Sequence, residues 1–166
     1  TMRKAVNWLS YHIYYHADLD VVLRDSVLPI VVTLLQHEYI SSFFFIRYSL
    51  GGPHVRLRLL AKPGAHASID RIVEEAVSLF LARQPSTNSM NEDSILKHNE
   101  QVYGSDNNEG HEAYPDNFFA RANFQPEVQR YGGSELLQFS LDFFAISSGV
   151  ALAHIVDARD QSRARR

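Results

Sequence analysis

The chain has 166 residues, with 16 Lys and Arg against 19 Asp and Glu, so its net charge of -3 offers no global positive field for nucleic acid or an anionic membrane. Its 45% hydrophobic content, with ten Phe, eight Tyr and one Trp, suits one domain with a sizeable core and excludes a disordered chain. Absence of cysteine rules out disulfides, thiolate zinc sites and a thiol nucleophile, and accords with a cytoplasmic setting.

Met2 reads as the natural start, with Thr1 an addition before it. The N-terminal residues lead straight into WLSYHIYYH (8–16), an aromatic run with β preference, and no signal peptide or membrane span is expected. Ala17-Asp18 marks a boundary and helix cap. From Leu19 to about Gln36 apolar residues recur every three or four positions, the period of an amphipathic helix, and Pro29 within it predicts a kink or break. Two β-rich runs, 43–49 and 54–62, flank Leu50-Gly51-Gly52-Pro53 and predict a hairpin. Ile69, Ile72, Val73, Ala76, Val77, Phe80 and Leu81 form the stripe of a second helix, with Ser68 as its expected N-cap.

Residues 85–117 turn polar and read as a long loop, with a weak helical signal from Ile95 to Tyr103. A strand is expected over FFARANF (118–124), then a turn at Pro126. Gly132-Gly133 leads into an apolar helix from about Ser134 to Val156, and the basic tail 157–166 is expected to fray. The order β-α-β-β-α-loop-β-α predicts one α+β domain over 6–156: an antiparallel sheet backed by helices, ferredoxin-like (split βαβ), with an additional C-terminal helix. That helix is apolar nearly all round from Leu136 to Ile155, which predicts a homodimer or a tight partner.

Side chains alternate across a strand, so Val55, Leu57 and Leu59 line one face while His54, Arg56 and Arg58 line the other. Two guanidiniums two residues apart lie roughly 7 Å from each other, a spacing suited to an anionic group or an extended substrate. Gly51 and Gly52 would let a ligand approach the backbone closely. Two bland alternatives stand beside these: Arg56 and Arg58 on a solvent face paired with acids, and Arg130 bracing a turn in which Tyr131 packs. His12 and His16 would lie roughly 13 Å apart along a strand, too far to share a metal. No HExxH motif, P-loop, dinucleotide glycine fingerprint or G-x-S-x-G elbow occurs, and neither a metal nor a cofactor is expected.

Taken together, FFFIRYSLGGPHVRLRL (43–59) and PEVQRYGG (126–133) resemble the C-terminal elimination-type domain of lantibiotic dehydratases and its stand-alone relatives in thiopeptide pathways, over roughly residues 6–155. The resemblance implies a role in maturing a ribosomally made peptide. A partner glutamylates Ser or Thr of a precursor peptide, and this domain eliminates glutamate to leave a dehydroamino acid. It carries the family's catalytic arginines onto Arg56, Arg58 and Arg130, with Tyr48, Gly51, Gly52, His54 and Tyr131 as substrate-binding candidates. Fixed guanidiniums suit this chemistry, because the departing glutamate is a carboxylate and α-proton removal creates an oxyanion.

The family also has a late histidine in a further helical region. His154, the one histidine after the motif here, reads instead as a structural residue of an apolar helix. Two alternatives stay open: a thiopeptide-type formal cycloaddition that builds a pyridine ring, or a non-catalytic module binding a peptide or partner enzyme. The arginines lean toward elimination, since the ring-forming relatives rely less on them. Expected partners are the precursor peptide and a glutamylating or other biosynthetic enzyme, without nucleic acid or membrane.

Overall fold

Strict alternation in the first strand organises the molecule. Leu9, Tyr11 and Ile13 point one way and Ser10, His12 and Tyr14 the other, and nearly all of them are buried, so both faces of this strand are covered. The computed structural model describes residues 7–104, 112–124 and 133–164. Its strands are β1 (Trp8–Tyr14), β2 (Ile40–Tyr48), β3 (His54–Ala61) and β4 (Phe118–Ala122), in the spatial order β2-β3-β1-β4 with every pair antiparallel. This is the ferredoxin-like arrangement expected from the sequence, with an added C-terminal helix.

The main core lies on the odd-numbered face. There Leu9, Tyr11, Ile13, Val55, Leu57 and Leu59 meet residues of α1 (Leu19–Val22), α2 (Leu28–Gln36) and α3 (His66–Arg83), among them Val22, Ile30, Leu34, Ile69, Val73 and Val77. Asp18 caps α1 by accepting from the Asp20 N–H at 2.9 Å. The break expected at Pro29 takes the form of a π-helical turn over Leu23–Val27, with the proline in the first turn of α2. Proline has no N–H to donate and its ring crowds the carbonyl four residues back, and a widened turn absorbs both effects.

Three local expectations need correction. Helix α3 begins at His66, not at Ser68, because the turn at Pro63-Gly64, closed by the Ala65 N–H on the Lys62 carbonyl, already delivers Ala65 in the helical region. The stretch read as a polar loop over 85–117 contains α4 (Glu92–Tyr103). Asn91 caps that helix by accepting from the Ser94 N–H, Glu92 and Asp93 complement its N-terminal dipole, and Ile95 and Asn99 are buried. The C-terminal helix α5 (Ser134–Ala164) runs past Val156 through most of the tail expected to fray, and Arg159 reaches Asp25 at 3.7 Å.

Helix α5 crosses the outer edge of β2. Leu137, Leu141 and Phe144 pack with Trp8 and Phe44 on the even-numbered face, while Leu152 and Ile155 join the main core on the other. Between them the Ser148 hydroxyl accepts from the Phe45 N–H at 3.1 Å, satisfying a donor that an edge strand would otherwise leave bare. Leu136, Phe139, Phe143, Ile146 and Val150 remain exposed at alternating steps of three and four residues, one stripe along the outer side of α5. By length and composition α5 could span a membrane, contrary to the expectation of no such segment, although a core helix passes the same test.

Replacing Ser148 by Ala leaves the Phe45 N–H without its acceptor. Urea unfolding should show a loss of about 1–2 kcal/mol relative to the unaltered protein.

Candidate functional site

On its even-numbered face the sheet presents a grid fixed by strand register. One row runs Phe44, Arg58, Ser10, Ala122; the next runs Ile46, Arg56, His12, Ala120; the third runs Tyr48, His54, Tyr14, Phe118. Directly opposed residues of antiparallel strands share a face, so residues more than forty positions apart become neighbours. The alanines on the β4 side leave that flank low, between Phe118 and Phe124.

Arg58 is 5% exposed, a cation almost wholly removed from water. One guanidinium nitrogen donates to the Ser10 hydroxyl, the group lies 4.9 Å from the centre of the Phe124 ring, and its Nε–H is buried without a hydrogen-bond partner among the described residues. Arg56 stacks on Tyr48, with the guanidinium 3.8 Å from the ring centre, and its Nε–H donates to Nε2 of His54 at 3.0 Å. Among the described residues, no carboxylate forms an ion pair with either arginine. Among the described residues, Arg58 is thus neither solvent-exposed nor paired with an acid, and Arg56 is half-buried and unpaired with one.

His54 is fully buried and holds Arg56 from below. Its Nδ1 faces the Gly52 carbonyl at 2.7 Å and must donate to it, which leaves Nε2 as the acceptor for Arg56. Burial, with Arg56 and Arg58 acting against the bond to Gly52, leaves the His54 pKa at about 4. His12 lies across from Arg56 with its ring 5.2 Å from that of His54, and its Nε2 is buried with no partner among the described residues. Burial first, then the charges of Arg58 and Arg56, push its pKa down to about 3. Both imidazoles are neutral at physiological pH. Arg58 falls to about 10 through burial and the nearby Arg56, and so stays charged there.

One end of the site is closed by stacked rings. Tyr14 packs against Tyr114 at 4.6 Å between centres and against Phe118 at 5.9 Å. Gly51 and Gly52 take φ of +81° and +116°, conformations that disfavour other residues. The space above them is filled by the protein itself: a Cβ on Gly51 would come within 2.8 Å of the Tyr114 ring, and one on Gly52 within 2.9 Å of His16. The turn is fixed by its Gly51 N–H donating to the side-chain carbonyl of Asn99 and by its Gly51 carbonyl accepting from the Tyr114 N–H. Close backbone approach at this turn thus belongs to Tyr114 and His16, not to a ligand.

Of the residues proposed from sequence, Tyr48, His54, Arg56 and Arg58 come together on one face, Gly51 and Gly52 buttress its end, and Arg130 and Tyr131 lie outside the described residues. Ser10, His12 and Tyr14 join this face beyond the residues expected from sequence, and their alternation with Leu9, Tyr11 and Ile13 is the signal that places them there. Chemically, the face offers two fixed guanidiniums, one of them desolvated, beside neutral imidazoles, which suits an anion undergoing proton transfer. Among the described residues no group of three or more His, Asp and Glu is arranged to hold a metal ion.

Residues 8–166 match the family model described as lantibiotic biosynthesis dehydratase C-term. Among solved structures, the pyridine synthase TbtD from thiomuracin biosynthesis aligns at a TM-score of 0.75 and 20% identity, over 93% of this chain and 49% of that one. The tRNA-dependent lantibiotic dehydratase MibB from Microbispora sp. 107891 aligns at 0.62 and 21% identity, over 92% of this chain and 12% of that one. TsrL aligns at 0.52 and 18% identity, over 92% and 35%. The chain thus spans about half or less of the length of these solved relatives. Among curated proteins no match is found.

Because His12 and His54 are neutral when folded and recover an ordinary pKa of 6.5 when unfolded, the unfolded state binds more protons below that pH. Stability contributed by their neutrality is complete above about pH 6.5 and is lost as pH falls toward the folded values of about 3 and 4. Urea unfolding between about pH 6 and pH 5 should show stability falling by roughly 2–3 kcal/mol per unit at most, and His12→Gln with His54→Gln should flatten that slope.

Proposed function

As a member of the lantibiotic biosynthesis dehydratase C-terminal family, to which this chain belongs, the protein works, we propose, on a ribosomally made peptide and eliminates glutamate from glutamylated Ser or Thr to leave a dehydroamino acid. One observation carries this reaction: Arg58 is buried beside Arg56 with no carboxylate partner among the described residues. An uncompensated buried cation costs several kcal/mol, and a substrate carboxylate would recover that cost on binding.

In this scheme Arg56 and Arg58 receive the anionic glutamyl adduct and stabilise the charge that develops as glutamate departs. His54 fixes the Arg56 guanidinium from below and Tyr48 supports its face, so both position the arginine. Arg130 joins them by its place in the PEVQRYGG motif, with Tyr131 beside it. The elimination takes one proton from the substrate Cα, turns the C–H electron pair into the Cα=Cβ bond and releases glutamate with the Cβ–O pair, so it needs no oxidant or reductant. A glutamylating enzyme supplies that substrate in the cytoplasm, and a second copy or this partner enzyme covers the exposed stripe of α5.

A second reading, ring formation from two dehydroalanines, is favoured by the stacked Tyr14, Tyr114 and Phe118 wall, which would suit a flat, uncharged reacting centre, and by the likeness to a pyridine synthase. The buried arginines would have less to do in that reaction.

Mass spectrometry of a glutamylated precursor peptide incubated with the protein should show loss of the glutamyl mass and gain of a dehydroamino acid. Arg56→Ala and Arg130→Ala should each reduce that turnover by at least about a hundredfold while the circular dichroism spectrum is unchanged. Full turnover in both variants would overturn the arginine assignment. Ring closure of a peptide bearing two dehydroalanines, with the glutamyl adduct untouched, would favour the second reading.

A further inference from the structure

His12 sits at the centre of the even-numbered sheet face, with Arg56 on one side, Ala120 on the other and Ser10 and Tyr14 above and below it along β1. Among the described residues of this face it is the imidazole that keeps an unbonded ring nitrogen. His54 has both ring nitrogens engaged, to the Gly52 carbonyl and to Arg56, and is committed to holding the arginine. His12 has a ring nitrogen, Nε2, that is buried and has no hydrogen-bond partner among the described residues. A polar atom left unbonded in a folded interior costs about 1–3 kcal/mol, which is hard to reconcile with a purely structural histidine. Its cross-strand neighbour on β4 is Ala120, whose side chain is a single methyl group.

We propose that His12 is the general base of this site, taking the α-proton of the glutamylated residue when the adduct's carboxylate is held by Arg56 and Arg58. The proton passes from the substrate Cα to the His12 imidazole, the C–H electron pair becomes the Cα=Cβ double bond, and the Cβ–O bond breaks with its electron pair leaving on the glutamate carboxylate. The imidazolium then returns its proton to solvent, so atoms and charge balance with no added oxidant or reductant. This assignment holds only if the protein eliminates glutamate.

The electrostatics fit a base that is switched on by its substrate. In the free protein the groups facing His12 are Arg56, Arg58 and His54 of β3, with Ser10 and Tyr14 of its own strand; burial holds the imidazole neutral and the two arginine charges add to that. A carboxylate bound to those arginines cancels much of that field, raises the proton affinity of His12 toward the range useful for catalysis, and thereby couples basicity to correct binding. The uncompensated arginines and the unbonded imidazole nitrogen then have one explanation.

The test uses the full chain and a glutamylated Ser-containing precursor peptide, made with either hydrogen or deuterium at the modified Cα. The unaltered protein should eliminate glutamate with a primary isotope effect. His12→Gln should turn over at least about a hundredfold more slowly while binding the peptide with affinity within about threefold of the original. His12→Ala should be equally slow and recover at least tenfold on addition of free imidazole, a rescue that a merely structural histidine would not give. Elimination by the unaltered protein with either variant within about threefold of its rate would overturn the role of His12 and leave the elimination activity standing. Absence of elimination by the unaltered protein would overturn both.

Discussion

Two positive charges held on a largely buried sheet face, with no described acid to answer them, are the constraint on which the site depends. Arg58 keeps only 5% of its surface and has one donor unbonded among the described residues, and Arg56 is carried above His54 and Tyr48. A fold selected for stability alone would place an apolar residue or a carboxylate there. Both imidazoles are kept neutral first by burial, and the arginine charges act on them in the same direction.

The remaining architecture holds those charges in place. The odd-numbered face of the sheet is anchored by fully buried Ile13, Val55, Leu57 and Leu59 against α1, α2 and α3, so β1 and β3 cannot slip without moving every even-numbered side chain out of the site. At one end, the Gly51-Gly52 turn is locked between Asn99 of α4 and Tyr114, and its Gly52 carbonyl fixes the tautomer of His54. At the β2 edge, α5 closes the sheet through Ser148 and packs Leu141 and Phe144 beside Phe44, the cross-strand neighbour of Arg58. The site is thus assembled from cross-strand pairs and is braced from three sides.

Much of the fold was legible because its signals are local. Period-two alternation in 54–59 separates apolar from cationic faces, glycines mark the hairpin turn, and the 69–81 stripe marks a helix. Helix α4 was less legible because its polar composition matches that of a loop and only Ile95 supplies a deeply buried apolar anchor. The start of α3 depended on a turn at Pro63-Gly64 that hands over an already helical backbone. In the site, Arg56 and Arg58 could be placed together from spacing and motif. His12 could not be joined to them, because its neighbours are set by the pairing of β1 with β3 across more than forty residues. The packing of Tyr114 on Gly51 is of the same kind: glycine shows that something comes close to the backbone, and only the fold says what. Arg130 and Tyr131 rest on their motif alone, since they lie outside the described residues.

The central claim is that this sheet face recognises a carboxylate on the peptide. It is tested most directly by calorimetric titration of a glutamylated Ser-containing precursor peptide and its unmodified counterpart into the protein at one fixed salt concentration. The adduct should bind at least about tenfold more tightly than the unmodified peptide, and Arg58→Met should remove that difference. Equal affinity for the two peptides, or a preference that survives Arg58→Met unchanged, would contradict the account.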